Sequence, residues 1–189
     1  GCLLVDVGGT TTDLVPIVDG RIRTGGRTDM DRLASGELVF TGALRTNLAA
    51  VVQSVPVAGR RCRVASEYFA VSGDVHLILG HLRPRDYTCS TPDGRAPSVE
   101  SARGRLARLV GADAEMLSAA DIDSMARFIA DRQVDQIAGG MRQVLSRFPV
   151  LRGGCAVIAG CGEFLGAAAA RSVGLEPTPP GGGATRAQR

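Results

Sequence analysis

Apolar residues gather in short runs over the first third of the chain and recur at helical spacing beyond it. Residues 3–7 form an apolar run broken once, by Asp6, and Gly8-Gly9-Thr10 after it is a turn signal. Residues 14–18 predict a second strand, and Asp19-Gly20 is a hairpin dipeptide leading into Arg21-Ile22-Arg23. The first 25 residues therefore predict a three-stranded meander. Residues 38–41 predict another short strand, and 51–57 and 62–65 two more around an Ala58-Gly59 turn. Residues 66–79 read as mostly helical, and 83–97, rich in Pro, Asp, Thr and Ser, as a loop. Ser98 predicts the N-cap of a helix with Val99, Ala102, Leu106, Leu109 and Val110 on one face. Ser118 and Asp121 form a capping-box signature. The helix after it carries Ile122, Met125, Ala126, Ile129, Ile137, Met141, Val144, Leu145 and Phe148 at helical spacing. Gly139-Gly140 within it predicts a weak point and a kink. A buried strand over 154–159, a tight Gly160-Cys161-Gly162 turn and a small-residue helix over 163–172 follow. The Pro/Gly-rich stretch 176–189 predicts a disordered tail.

Composition narrows the chemistry. The chain has 189 residues, enough for one domain with a real core. All 22 basic residues are arginine, so a Walker-type loop, which needs lysine, is excluded. The net charge is only +3, and no dense arginine patch is interleaved with aromatics, so nucleic acid is not an expected partner. The longest apolar stretch, 156–170, is broken by Gly160, Gly162 and Glu163, which argues against a membrane partner. No basic-then-apolar leader pattern opens the chain, which predicts no signal peptide. Five cysteines with no close pair predict reduced thiols and a cytoplasmic location. His76 and His81 lie five apart, off a shared helical face, so no zinc pair is expected. Asp74 and His76 are candidates for a hydrogen-bonded pair, with a structural histidine preferred over a catalytic one.

Two segments are fit for chemistry. Val5-Asp6-Val7-Gly8-Gly9-Thr10-Thr11-Thr12-Asp13 joins two predicted strands. Gly8 and Gly9 let backbone N–H groups approach an anion, and the hydroxyls of Thr10, Thr11 and Thr12 add donors. Asp6 and Asp13 bracket this anion pocket, where a carboxylate suits a magnesium ion, directly or through water. The competing reading is a hairpin turn with polar decoration. The second segment, residues 157–163, is a strand–turn–helix unit whose Gly160 and Gly162 place a phosphate group against a helix N-terminus. There the competing reading is a plain connection with glycines for packing. Cys161 reads as small and packable, not nucleophilic.

The first segment resembles the first phosphate loop of the superfamily of acetate and sugar kinases, heat-shock chaperone ATPases and actin. Its three threonines and closing Asp13 are most similar to the hydantoinase/oxoprolinase branch, and the second segment resembles the adenosine-side motif of that superfamily. Between them, Thr28-Asp29-Met30-Asp31-Arg32-Leu33, Gly36-Glu37-Leu38-Val39-Phe40-Thr41-Gly42, Leu44-Arg45-Thr46 and Gly73-Asp74-Val75-His76-Leu77-Ile78-Leu79-Gly80 resemble the tetrahydromethanopterin-linked one-carbon transfer pathway proteins. The archaeal relatives of those proteins make the furan–tyramine ether of methanofuran. Thr91-Pro92-Asp93-Gly94-Arg95 and residues 105–110 continue the resemblance, which covers residues 3–174.

The resemblance implies an α/β, actin-like ATPase (ribonuclease H-like) domain, a mixed sheet with helices, incomplete relative to the two-domain family. Residues 1–175 would be the later domain, with 29–115 as a family-specific insertion. It implies a transferase that joins an aminomethylfuran diphosphate to a tyramine or tyrosine phenol, with diphosphate leaving and Mg2+ as cofactor. Candidate catalytic carboxylates are then Asp6, Asp13, Asp29, Glu37 and Asp74, with Asp6 and Asp13 on the metal. Gly8, Gly9, Thr10, Thr11, Thr12, Arg45, Gly160 and Gly162 would bind phosphate. For Asp29, Glu37, Asp74 and Arg45, a solvated or structural charge is an equal reading. Two alternatives stay open: an ATP-dependent ring-amide hydrolase of the hydantoinase/oxoprolinase type, and a non-catalytic phosphate-binding or assembly module. The chain reads as truncated at both ends, so its partners include a missing first domain or a second copy, and its activity alone is left open.

Overall fold

The computed structural model describes residues 1–181. The chain divides into two compact units: Gly1–Thr41 with Val134 onward, and Gly42–Gln133.

The first unit opens with the meander. Strand β1 (Cys2–Val7) pairs antiparallel with β2 (Thr12–Val18), and β2 with β3 (Arg21–Ile22). Asp19 and Gly20 both take positive φ, 53° and 69°, the turn whose twist matches the strands it joins. Helix α1 (Asp29–Ser35) starts at a Thr28–Asp31 capping box and ends on Gly36 at φ 74°. Strand β4 (Leu38–Val39) pairs with the start of β2.

The second unit begins with a three-residue helical turn, Leu48–Ala50, and a hairpin of β5 (Ser54–Val57) and β6 (Arg60–Arg63). Helices α2 (Ser72–Ile78), α3 (Val99–Arg108) and the opening part of α4 (Ala119–Arg147) follow. Val55, Val75, Leu106, Leu109, Ile122, Met125 and Ile129 form its core. Ala58 takes φ 46° in the hairpin turn, where its N–H donates to Asp121 Oδ1 at 3.0 Å. The same carboxylate completes the capping box with Ser118 at the start of α4.

The boundary between the units falls inside α4, after Gln133. The rest of α4, β7 (Cys155–Ala159), α5 (Glu163–Ser172) and β8 (Glu176–Thr178) complete the first unit. β7 lies parallel to β1, and β8 parallel to β7. The result is a mixed six-stranded sheet of order β3-β2-β1-β7-β8, with β4 also on β2. Leu3, Val5 and Val7 point to one face and are fully buried against Ile137, Met141 and Val144 of α4 and Leu165 and Ala169 of α5. Residues of the opposite parity, Asp6 among them, point to the other face.

Several expectations shift. Only Ser72–Ile78 of the predicted helix over 66–79 is helical. Asp74 accepts from Val71 N–H at 3.0 Å and so starts the helix there, while Val71 bridges to Asn47 as extended chain. Strand β5 starts at Ser54 rather than at 51, because Asn47 caps the short turn before it. The β4 strand is cut to Leu38–Val39. Val99, placed on the buried face of α3, is exposed. α4 runs as one helix through Gly139-Gly140. Gly140 is a packing glycine: a Cβ there would lie 2.6 Å from Val39 Cγ2 and 3.0 Å from Leu14 Cδ1. Glu176–Thr178, expected in the tail, pairs as β8, with its edge against β7; the rest of that expectation, from 182 on, lies outside the described residues. The units divide the residues expected as an insertion, 29–115, between them. Residues 29–41 belong with the sheet, and 116–133 with the second unit.

Candidate functional site

Both glycine segments lie at the same end of the first unit's sheet, at the C-terminal ends of β1 and β7. Register does this. Asp6 stands opposite Asp13 across the antiparallel pair and beside Ala159 across the parallel one. Residues directly opposite on antiparallel strands project to the same face, so the two carboxylates share a side. Gly162 N–H then donates to Val7 C=O at 2.9 Å, which ties the second turn to the end of β1. Gly160 takes φ 90°, and a Cβ there would collide with the Val7 carbonyl and the Asp6 carboxylate. Glycine is required at this position for both reasons.

The first loop folds on itself. Gly8 N–H donates to Thr11 C=O at 2.9 Å, so this donor, expected to face an anion, is used inside the turn. The Thr12 hydroxyl is also spent: it is buried and donates to Thr41 C=O at 2.7 Å. Among the described residues the backbone N–H groups of Gly9, Thr10 and Thr11 have no hydrogen-bond partner. They sit at a part-exposed tip with Thr10 outermost.

Arg32, on α1, was not among the expected site residues. Its guanidinium bonds the Asp13 carboxylate, and its Nη1 lies 3.9 Å from Asp29. Gly26 presses on its stem, where a Cβ would lie 2.8 Å from Arg32 Cγ. Asp13 and Asp29 thus share Arg32, and Asp6 stands opposite Asp13, which sets three carboxylates against one cation beside the loop. The sequence held a signal: Arg32 sits one turn after Asp29 in the motif that carried the resemblance, but nothing local tells that its side chain reaches Asp13. Cys161, in the second turn, is exposed. Partial burial of its thiol and the charge on Asp6 raise its pKa, which suppresses the thiolate.

The remaining expected residues are Glu37, Asp74 and Arg45. Glu37 is fully buried and accepts from Gly25 N–H (2.8 Å), Gly26 N–H (3.2 Å) and Arg147 Nη2 (2.8 Å). Burial alone would raise its pKa, but these donors outweigh it and hold the carboxyl below its ordinary range. Asp74 and Arg45 belong to the second unit. Asp74 is buried and accepts from Arg105 Nη2 (2.7 Å), Arg105 Nε (3.0 Å) and the Tyr87 hydroxyl (3.1 Å). The expected Asp74–His76 pair does not form. His76 bonds Gln133 Oε1 through Nε2 at 2.9 Å and His81 through Nδ1 at 3.2 Å. The two rings meet because α2 stops at Ile78 and Gly80, at φ 74°, folds His81 back. Burial, and then the neighbouring His81, push the His76 pKa down to about 3, so the ring is neutral.

Magnesium suits hard oxygen donors, and the ion commonly uses one or two carboxylates with substrate phosphates completing its shell. Asp6 and Asp13, side by side and next to unbonded amides, fit that pattern. The described residues contain no group of three or more His, Cys, Asp or Glu able to hold a metal alone, so such an ion would need the substrate's oxygens. No helix among them is long and apolar enough to cross a membrane.

Residues 1–180 match the family model described as hydantoinase/oxoprolinase. A protein of Methanocaldococcus jannaschii is 36% identical over 162 residues, 86% of this chain and 48% of that protein. One of Methanococcus vannielii is 34% identical over 162 residues, 86% of this chain and 71% of that protein. Both bear the name (4-{4-(2-(gamma-L-glutamylamino)ethyl)phenoxymethyl}furan-2-yl)methanamine synthase. The chain therefore spans about half the length of the first relative. With the match running from the first strand through the last, the chain belongs to the hydantoinase/oxoprolinase family.

Proposed function

We propose that this chain is the diphosphate-binding part of a transferase of methanofuran-type cofactor biosynthesis. The reaction joins an aminomethylfuran diphosphate to the phenol of a tyramine or tyrosine derivative. The furfuryl C–O bond breaks with its electron pair leaving on diphosphate, the phenol oxygen forms the new C–O bond, and the phenol proton is released. A furfuryl cation is resonance-stabilised, so the main task is to stabilise departing negative charge. The observation that carries the reading is the row of unbonded Gly9, Thr10 and Thr11 amides next to Asp6 and Asp13, in a chain related to synthases whose named product is a phenoxymethylfuran.

In this reading the three amides, with the Thr10 and Thr11 hydroxyls, receive diphosphate oxygens. Gly160 and Gly162 keep the neighbouring wall open. Arg32 supplies a cation beside the loop, with donors left over beside its bond to Asp13. Asp6 and Asp13 would hold Mg2+, which when bound neutralises charge on the leaving diphosphate. Asp29, linked to Asp13 through Arg32, is a further carboxylate to orient or deprotonate a phenol. The meander running into parallel strands supports an actin-like (ribonuclease H-like) domain, and five free thiols support a cytoplasmic setting. A further domain or a second copy would complete the active protein.

The test uses an intact longer homologue, with substitutions made at its counterparts of the residues named here. Incubated with an aminomethylfuran diphosphate and γ-glutamyltyramine, it should release diphosphate and form the ether, and Asp6→Asn with Asp13→Asn should slow this by about 100-fold or more. Absence of ether product from the wild type overturns the proposal. The family match favours one second reading, an ATP-dependent ring-amide hydrolase. It predicts ATP hydrolysis stimulated by a cyclic amide, which the transferase does not.

A further inference from the structure

One cavity of the second unit combines a rigid floor with a loosely paired rim. It holds about 440 Å³, within the range of small-molecule sites, and its lining includes Tyr68, Phe69, Gly104, Arg105, Arg108 and Glu115. The floor is fixed by Arg105, only 2% exposed, which bonds Asp74 through two nitrogens and Asp93 through Nη1 at 2.9 Å. Arg95 N–H donates to the same Asp93 oxygen at 3.1 Å.

The rim differs. Arg108 meets Asp113 only at 3.5 Å, and the Arg95 guanidinium meets Asp93 only at 3.9 Å. The side chains of Arg95, Arg108 and Asp113 are 75%, 64% and 65% exposed. Exposed pairs of this kind contribute little, so they exchange readily onto a ligand's charges. Glu115 adds a second exposed acid, and Tyr68 and Phe69 form an aromatic wall. Arginines and acids balance over the lining, which suits a ligand bearing both signs.

Gly104 is the telling position. It lies inside α3, where glycine disfavours the helix relative to alanine, and a Cβ there would meet nothing within 4 Å. Packing does not require it; its effect is to leave room on the cavity wall. We infer that this cavity binds the α-amino-acid end of a ligand that also carries an aromatic ring. The carboxylate lies on Arg95 and Arg108, the ammonium on Asp113 and Glu115, and the ring against Tyr68 and Phe69. γ-Glutamyltyramine has all three parts; its choice as ligand rests on the function proposed above.

Calorimetric titration of this chain with γ-glutamyltyramine should show saturable binding, with tyramine, which lacks the amino-acid end, about tenfold weaker or worse. Arg108→Ala should weaken binding about tenfold. Gly104→Leu should abolish it while the melting temperature stays at or above that of the wild type. Gly104→Ala, a smaller filler, serves if the leucine variant fails to fold, and should weaken binding measurably. No saturable binding, equal affinity for tyramine, or binding unchanged in the Gly104 and Arg108 variants overturns the inference. Ether formation is assayed separately on the longer homologue, with the pocket substitutions made at its corresponding positions. Ether made with pocket variants at unchanged KM sinks the cavity alone, and binding here without any ether sinks the transferase alone.

Discussion

Arg32 holds Asp13 by a direct ion pair, and Asp13 stands in register opposite Asp6 on the neighbouring strand. The cation that the loop would use for an anion is thus already engaged with a carboxylate that would hold a metal. A metal on Asp13 would compete with this pair, whereas an anion can use the guanidinium donors left over.

Removing the cation should therefore act in opposite directions on two ligands. Arg32→Ala leaves Asp13 and Asp29 without their neutralising partner. Mg2+ affinity should rise, and metal-free binding of inorganic pyrophosphate should fall about tenfold or more. Calorimetry with each ligand alone reads both signs. Global stability should change by less than ~1 kcal/mol, since both partners are part-exposed.

The two adjacent glycines of α4 should respond oppositely to alanine. Gly139→Ala meets nothing within 4 Å and should stabilise by up to ~1 kcal/mol through helix propensity. Gly140→Ala drives a methyl into Val39 and Leu14 and should cost about 1–3 kcal/mol. Urea denaturation of the two variants tests the contrast, and a stabilised Gly140→Ala would refute the packing role.

The buried ion pair of Asp74 and Arg105 should be far less tolerant than the surface pairs. Arg105→Ala leaves Asp74 buried with only the Tyr87 hydroxyl and the Val71 N–H, and should cost about 3–5 kcal/mol. Tyr87 reports on the same network: burial, and then the charge of Asp74, raise its phenol pKa well above the ordinary value. In Asp74→Asn that pKa should fall, as a spectrophotometric titration would show.

Acid should destabilise the second unit through its histidines before the carboxylates titrate. His76 is neutral in the fold, with its pKa down at about 3 from 6.5, and the His81 pKa is lowered too, by burial. Between those values the unfolded chain binds more protons than the folded one. Stability is then fully present above pH 6.5 and falls as pH drops toward 3, by at most ~1.4 kcal/mol per pH unit for one group. The interval from 6.5 to 5 isolates the effect, because Glu37, also depressed, loses its contribution only as pH falls below its unfolded value of 4.5. His76→Gln should flatten the stability profile in that interval; an unchanged slope would refute the assignment.

The histidine pair also shows where residue spacing stopped being informative. Gln133 Nε2 donates to Gly42 C=O at 3.1 Å, so its Oε1 must accept from His76 Nε2–H. That leaves His76 Nδ1 as an acceptor and makes His81 Nδ1 the donor. Two residues five apart read as unrelated on a continuous helix; a left-handed Gly80 made them partners.

Local chemistry determined most elements of this protein. Alternation and turn dipeptides placed the β1–β3 meander, the Ala58-Gly59 hairpin and the two glycine turns. Side-chain oxygens at Ser98 and Ser118 placed helix starts, because a cap bonds amides only a few residues away. The Val5-to-Asp13 string was likewise legible as a loop rich in donors. Tertiary structure decided which of those donors remain. It spent Gly8 N–H and the Thr12 hydroxyl internally, left Gly9 to Thr11 unbonded, and brought Gly160 against Asp6 through the parallel pairing of β1 and β7. It also buried Glu37 and Asp74 among their own donors and laid Arg32 on Asp13. Hydrogen-bond partners far apart in sequence are fixed by strand register and helix docking, and those depend on burying Leu3, Val5 and Val7 against helices from the far end of the chain.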